Sequence, residues 1–196
     1  KPIGFCRVNS WLPVALGGEA NLYWHWRQHY AGHELVHGAV LSTSGRFCFN
    51  ADEVKKASGD FEKCKDLLFV NRVKSDIAMH FSATAWLNLK HVPVAKGTDY
   101  LKYIADVYHK SLRHYNVDLI DTPHSLEGYK LLISPFLSCV DENGLKERVM
   151  QWVEEGGTWI VGPLSDIMDD NAMKYRNAPY SFLEEYVGVY TAFQMP

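Results

Sequence analysis

The run Tyr23-Trp-His-Trp-Arg-Gln-His-Tyr-Ala-Gly-His-Glu-Leu-Val-His-Gly38 gathers aromatic rings, an arginine, histidines and a carboxylate more densely than any other part of the chain. Aromatic faces beside a few directional polar groups suit a sugar or another polyol, because C–H faces stack on rings while hydroxyls need fixed donors and acceptors. Within it, Glu34 and His37 stand three residues apart, a spacing that lets a carboxylate and an imidazole share one pocket or form a plain surface pair. His25, His29, His33 and His37 recur every four residues, which on a helix would stack them as metal ligands. Trp26, Tyr30 and Gly32 interrupt any such helix, so this spacing predicts no metal site, and no cofactor is expected.

A second place for chemistry is Cys139, shortly after an apolar run that ends at Pro135. A thiol there could serve as nucleophile in an amidotransferase-like hydrolase, with one of the chain's histidines as base. Its neighbours, Phe-Leu-Ser-Cys-Val-Asp-Glu, lack the glycines of a strained nucleophile turn, which favours a buried structural thiol. The paired acids Asp141-Glu142 and Asp169-Asp170 fall in loops, where capping or solvation is their ordinary role.

The elements that must hold these groups follow from period and punctuation. Asn21 to Trp26 reads as a buried strand after the Gly17-Gly18 turn, and Glu53 to Leu68 as a helix with Asp52 as cap. Ser42 to Asn50 is the connection between an appendage, residues 1–45, and a main domain, residues 46–196. In the main domain, Ile77–Phe81, Val117–Ile120, Lys130–Ser134 and Thr158–Val161 read as strands. Asp99–Tyr115, with Leu101, Ile104, Tyr108 and Leu112 on one face, and Leu145–Val153 read as helices, and Ser181 as the cap of a last short one. The alternation predicts an α/β fold: an open, mostly parallel sheet with helices on both faces, flavodoxin-like or of the class I glutamine amidotransferase type. No phosphate-binding glycine motif follows any strand, which leaves a nucleotide site without support.

Composition narrows the classes further. A chain of 196 residues with 47% hydrophobic residues and net charge -3 can bury a sizeable core and offers no basic surface for nucleic acid. No apolar run is long enough for a membrane span. Cys6, Cys48, Cys64 and Cys139 are dispersed without C-x-x-C spacing, fitting free thiols in a reducing, cytoplasmic setting. The start at Lys1, on an apolar stretch from Ile3 to Leu16, reads as the interior of a longer protein.

The run Tyr-Trp-His-Trp-Arg-Gln-x-x-x-Gly-x-Glu-x-x-His from Tyr23 to His37 resembles the close of the catalytic barrel in glycoside hydrolase family 42 β-galactosidases. Val117-Asp-Leu-Ile, Leu126-Glu-Gly-Tyr-Lys-Leu-Leu-Ile-Ser-Pro135, Val153-Glu-Glu-Gly-Gly-Thr-Trp-Ile-Val-Gly162 and Leu164-Ser-Asp-Ile-Met-Asp-Asp170 resemble the trimerisation domain of the same enzymes. The resemblance implies a parent that hydrolyses terminal β-galactosides with retention, using two carboxyl groups about 5 to 5.5 Å apart. In the family both come from barrel strands preceding this segment, which leaves the chain alone non-catalytic. Residues 1–45 would be the terminal piece of a (β/α) barrel, displaced or packed on a neighbour, and residues 46–196 a homotrimer-forming domain. By the same resemblance Glu34 hydrogen-bonds galactose hydroxyls, His37 is its partner in the galactoside pocket, and Trp24 lies against the sugar face. Arg27 and Gln28 belong to the motif as positioning residues.

Overall fold

The structure, a computed structural model, describes residues 2–68, 73–177 and 180–192. It divides into two compact units, Lys1–Val73 and Lys74–Pro196. The sequence-based boundary near residue 45 falls inside the first of them.

In the first unit, helix α1 (Phe5–Ala15) and helix α2 (Ala51–Leu68) pack on one another. No side chain of α1's own caps its start. Glu53, in the first turn of α2, does so instead, accepting from the backbone N–H of Gly4 at 2.6 Å and Cys6 at 2.9 Å. The first N–H groups of a helix lie beyond its own ladder of carbonyls, so a carboxylate among them satisfies donors and opposes the positive end of the dipole. Those bonds outweigh the opposing effect of burial and hold the Glu53 carboxyl below its usual value. Trp11 on Phe61, with ring centroids 4.7 Å apart, and Arg7 Nε donating to Asp60 at 2.6 Å complete the seam. Helix α1 closes at Gly17 (φ 95), where the N–H of Gly17 reaches the carbonyl of Val14 and that of Gly18 the carbonyl of Pro13. This is the left-handed stop that glycine permits. The apolar stretch from Ile3 to Leu16 is therefore a helix that sequence pattern alone did not assign.

Asn21 to Trp26 is not the strand expected. Its backbone joins the chain at residues 40–41 through single bonds, Val40 N–H to the His25 carbonyl and Leu41 N–H to that of Trp26, and only the isolated bridge Arg27–Leu41 forms. A strand needs a ladder, and one bridge supplies none.

The second unit carries the predicted sheet. Strands β1 (Ile77–His80), β2 (Val117–Ile120), β3 (Leu131–Ser134) and β4 (Thr158–Val161) are all parallel, in the order β2-β1-β3-β4. That matches the first four strands of the flavodoxin-like arrangement. One face, with Met79 and Ile133, packs against α3 (Ala83–His91) and α4 (Tyr100–Val107) around Leu89, Tyr100 and Ile104. The other, with Ala78, Ile120 and Leu132, packs against α5 (Leu145–Glu154) and α6 (Leu183–Val187) around Val149, Trp152 and Leu183. Helix α3, absent from the sequence reading, is started by Ser82, whose Oγ accepts from the Ala85 N–H at 3.0 Å. Helix α4 runs on into a π-helical turn at Tyr108–Leu112, together covering most of the predicted Asp99–Tyr115 segment.

The connection from β2 to β3, residues 121–130, crosses the sheet without a helix. Leu126 anchors it in the core, and Arg148 of α5 holds it by donating to the carbonyls of Thr122 at 2.6 Å, His124 at 3.0 Å and Pro123 at 3.2 Å. A planar guanidinium spreads five donors over three nitrogens and can reach carbonyls set apart along a loop, a spread that the single nitrogen of a lysine lacks.

Candidate functional site

The turn at residues 33–36 returns the chain towards His25, and Gly32, at φ 88, makes the bend that precedes it. The sequence-predicted pair Glu34 and His37 meets there, with Glu34 Oε1 3.9 Å from His37 Nδ1. Two further histidines join them. His25 Nε2 lies 2.7 Å from Glu34 Oε2 and His29 Nδ1 3.5 Å from the same oxygen. Because an ionised carboxylate only accepts, the Nε2 of His25 carries the proton and donates it. His25 is 5% exposed, and its Nδ1 has no hydrogen-bond partner. Burial works against charge on Glu34, but the bond from His25 and the nearby imidazoles outweigh it and hold the carboxyl below its usual value.

Arg27 and Gln28 tie the backbone on either side of the turn. Gln28 Nε2 donates to the Leu35 carbonyl within it at 2.9 Å, and Arg27 Nη2 donates to that of Thr43 beyond it at 2.7 Å. Trp24 lies tilted at 44° against His25 with centroids 4.3 Å apart, and the peptide joining them is cis. Its indole is 75% exposed and lines a cleft of about 250 Å³ with Tyr23, Asn21, Phe49 and Glu53. Glu34 and His37 do not line that cleft. Trp24 thus touches the cluster through His25 and presents the rest of its ring elsewhere. His25 was visible in the four-residue histidine series, but the helical premise tied to that series concealed it; a glycine-hinged turn brings His25, Glu34 and His37 together instead.

At the carboxyl ends of β1 and β3, where such sheets usually take ligands, the chain's own side chains meet. His80, at the end of β1, is fully buried, its Nδ1 2.8 Å from the Ser134 hydroxyl at the end of β3, to which Trp159 Nε1 also donates at 2.9 Å. Beyond β1, Glu142 accepts from Ser82 at 2.8 Å and Thr84 at 2.7 Å. Burial first, then the charge of Arg148, pushes the His80 pKa down to about 4.

Cys139 is buried at 2% exposure, and burial, aided by the charges of Asp166, Asp141 and Glu142, pushes its thiol up to about 11. A nucleophile needs the reverse shift, towards thiolate. The arrangement gives no support to hydrolysis through Cys139.

Comparison with known proteins bears on both units. Residues 75–195 match the model of the β-galactosidase trimerisation domain, and residues 1–64 the model described as β-galactosidase. The chain is 30% identical over 197 residues to β-galactosidase YesZ of Bacillus licheniformis and 31% identical over 206 residues to BgaB of a Geobacillus species. These alignments take in 98% and 100% of this chain but 29% of each relative. Among solved structures, the GH42 β-galactosidase Gan42B of G. stearothermophilus superposes with TM-score 0.72 at 25% identity, over 94% of this chain and 27% of that one. The enzyme from the psychrophilic Marinomonas ef1 superposes at 0.77 over 95% of this chain and 29% of that one, and at 20% identity it speaks for the fold alone. The chain belongs to the glycoside hydrolase family 42 β-galactosidases and carries their trimerisation domain.

Proposed function

We propose that this chain is a non-catalytic assembly segment of a β-galactosidase that hydrolyses terminal β-galactosides with retention. The observation that carries the reading is the match of residues 75–195 to the trimerisation domain, a stretch that corresponds to the sheet and its helices. The segment's own task is to bring three copies together, and cyclic closure is the form such contacts take. Residues 1–45 bring part of the galactose pocket: Glu34 accepts from sugar hydroxyls, His37 assists it, and Trp24, which meets them only through His25, takes the place against the sugar's C–H face that the family resemblance implies. Prior engagement of Glu34 Oε2 by His25 favours this role, because it fixes the carboxylate in place and leaves its other oxygen to accept. The two carboxylates that cleave the bond come, in the family, from barrel strands preceding this segment, so the chain alone turns over no galactoside. The protein acts where the whole enzyme acts, which we take to be the cytoplasm.

Light scattering over a dilution series tests the assembly reading. The expected mass is three times that of the 22.4 kDa chain, persisting on dilution. A monomer at every concentration overturns it. Turnover of a chromogenic β-galactoside by the purified chain would overturn the non-catalytic part separately.

A further inference from the structure

We propose that His25, Glu34 and His37 form a binding site for a divalent transition metal of the zinc class. One donor atom from each of the three lies within 4.8 Å of the others. A tetrahedral zinc, with bonds of about 2.0–2.1 Å, holds its donors roughly 3.4 Å apart, so modest side-chain rotation closes the set. Two imidazoles and a carboxylate make a donor set that suits this metal class and would hold magnesium or calcium poorly.

The cluster is partly built before any metal arrives. His25 is buried and fixed at 2.7 Å from Glu34 Oε2, which spares the ion the ordering of two ligands. Its stacking on His29, 4.4 Å between centroids at 17°, further limits the ring's rotation. His29 Nδ1, 3.5 Å from Glu34 Oε2, stands beside the set as a further donor, and water supplies any remaining position. The metal takes Nε2 of His25, the ring nitrogen that already faces Glu34, and His37 Nδ1, 3.9 Å from Glu34 Oε1, completes the set. Metal binding would replace the proton that His25 and Glu34 now share. Because Glu34 and His37 are also the residues proposed to meet the sugar, an ion seated there excludes a galactoside. The metal site itself rests on donor geometry and stands whether or not that sugar reading holds.

The test is titration of the metal-free 196-residue chain with zinc chloride, followed by calorimetry and by the ring-nitrogen NMR signals of the histidines. One zinc per chain is expected, shifting the ring nitrogens of His25 and His37 and raising the melting temperature. Glu34→Gln and His37→Ala each weaken binding at least about tenfold, while His33→Ala, outside the cluster, leaves it unchanged. Absence of saturable binding overturns the site, as does equal affinity in all three variants or NMR shifts confined to other histidines. Should a variant misfold, the ring-nitrogen shifts of the unaltered chain decide the matter.

Discussion

Asp166 is fully buried at φ 63, a left-handed conformation that aspartate tolerates better than most residues. Its Oδ2 accepts from the N–H groups of Ser181 and Phe182 and from the Ser181 hydroxyl at 2.6 Å, while Oδ1 takes the Val140 N–H. Asp166→Ala strips the partner from the buried Val140 N–H and from the Ser181 and Phe182 donors, and denaturant unfolding should show a loss on the order of 3 kcal/mol. His80 offers a pH-dependent prediction. Its folded pKa of about 4 lies below the ordinary 6.5, so the unfolded chain binds a proton that the native chain refuses between those values. Its contribution is complete above about pH 6.5 and is lost as pH falls towards 4, a change of about 3 kcal/mol. His80→Asn, which removes the titrating ring, should flatten that part of the stability curve measured by urea unfolding. Cys139 should stay unmodified by iodoacetamide in the native chain and react once it is unfolded, as peptide mass mapping would show. The Glu34–His37 pairing was legible from spacing. Ser181 was read as a helix cap, but it serves as a donor to Asp166, because a left-handed carboxylate arriving from another loop leaves no local trace in sequence.

Elements with strong patterns were the most readable. The spans of β2 and β4 agree with their sequence assignments to the residue, since short β-branched and aromatic runs bounded by turn residues leave little choice of period. Helix α3 escaped because its Ala-Thr-Ala-Trp-Leu-Asn-Leu stretch has weak amphipathic contrast and takes its cap from a serine tied to Glu142 across the sheet. The Asn21–Trp26 misreading has a related cause: aromatic composition indicates that a segment fits a pleated surface, not that neighbouring strands lie beside it. Two contacts between elements yield predictions. A β-carbon on Gly162 would collide with the Pro135 carbonyl where β3 and β4 end side by side, so Gly162→Ala should cost about 1–3 kcal/mol in thermal unfolding. Arg148→Lys keeps the charge but abandons most of the carbonyl fan that secures residues 122–124. Faster amide exchange is expected in that connection, with α5 itself retained.

At the scale of the whole molecule, the two units differ in how fully they are covered. In the first, Ile3, Leu22, Trp24, Tyr30, Val36, Phe47 and Phe49 are each at least 75% exposed. So many large apolar side chains exposed in a small unit make a patch of the kind that usually marks an interaction surface. Protease should therefore cut within residues 1–73 of the dilute chain before it cuts the sheet domain. Firm protection of the first unit in a monomer would contradict that expectation. Among the described residues no helix is long and apolar enough to cross a membrane. The carboxyl ends of β1 and β3, where sheets of this order usually admit a small molecule, are filled by His80, Ser134 and Trp159. A protein with an open seat there gains stability from its ligand by mass action, and its folding equilibrium follows the supply of that ligand. With the seat at β1 and β3 plugged, no such dependence arises from that position. If it assembles as proposed, the concentration that governs its stability is its own, so low expression would leave it less stable than any change in metabolite supply.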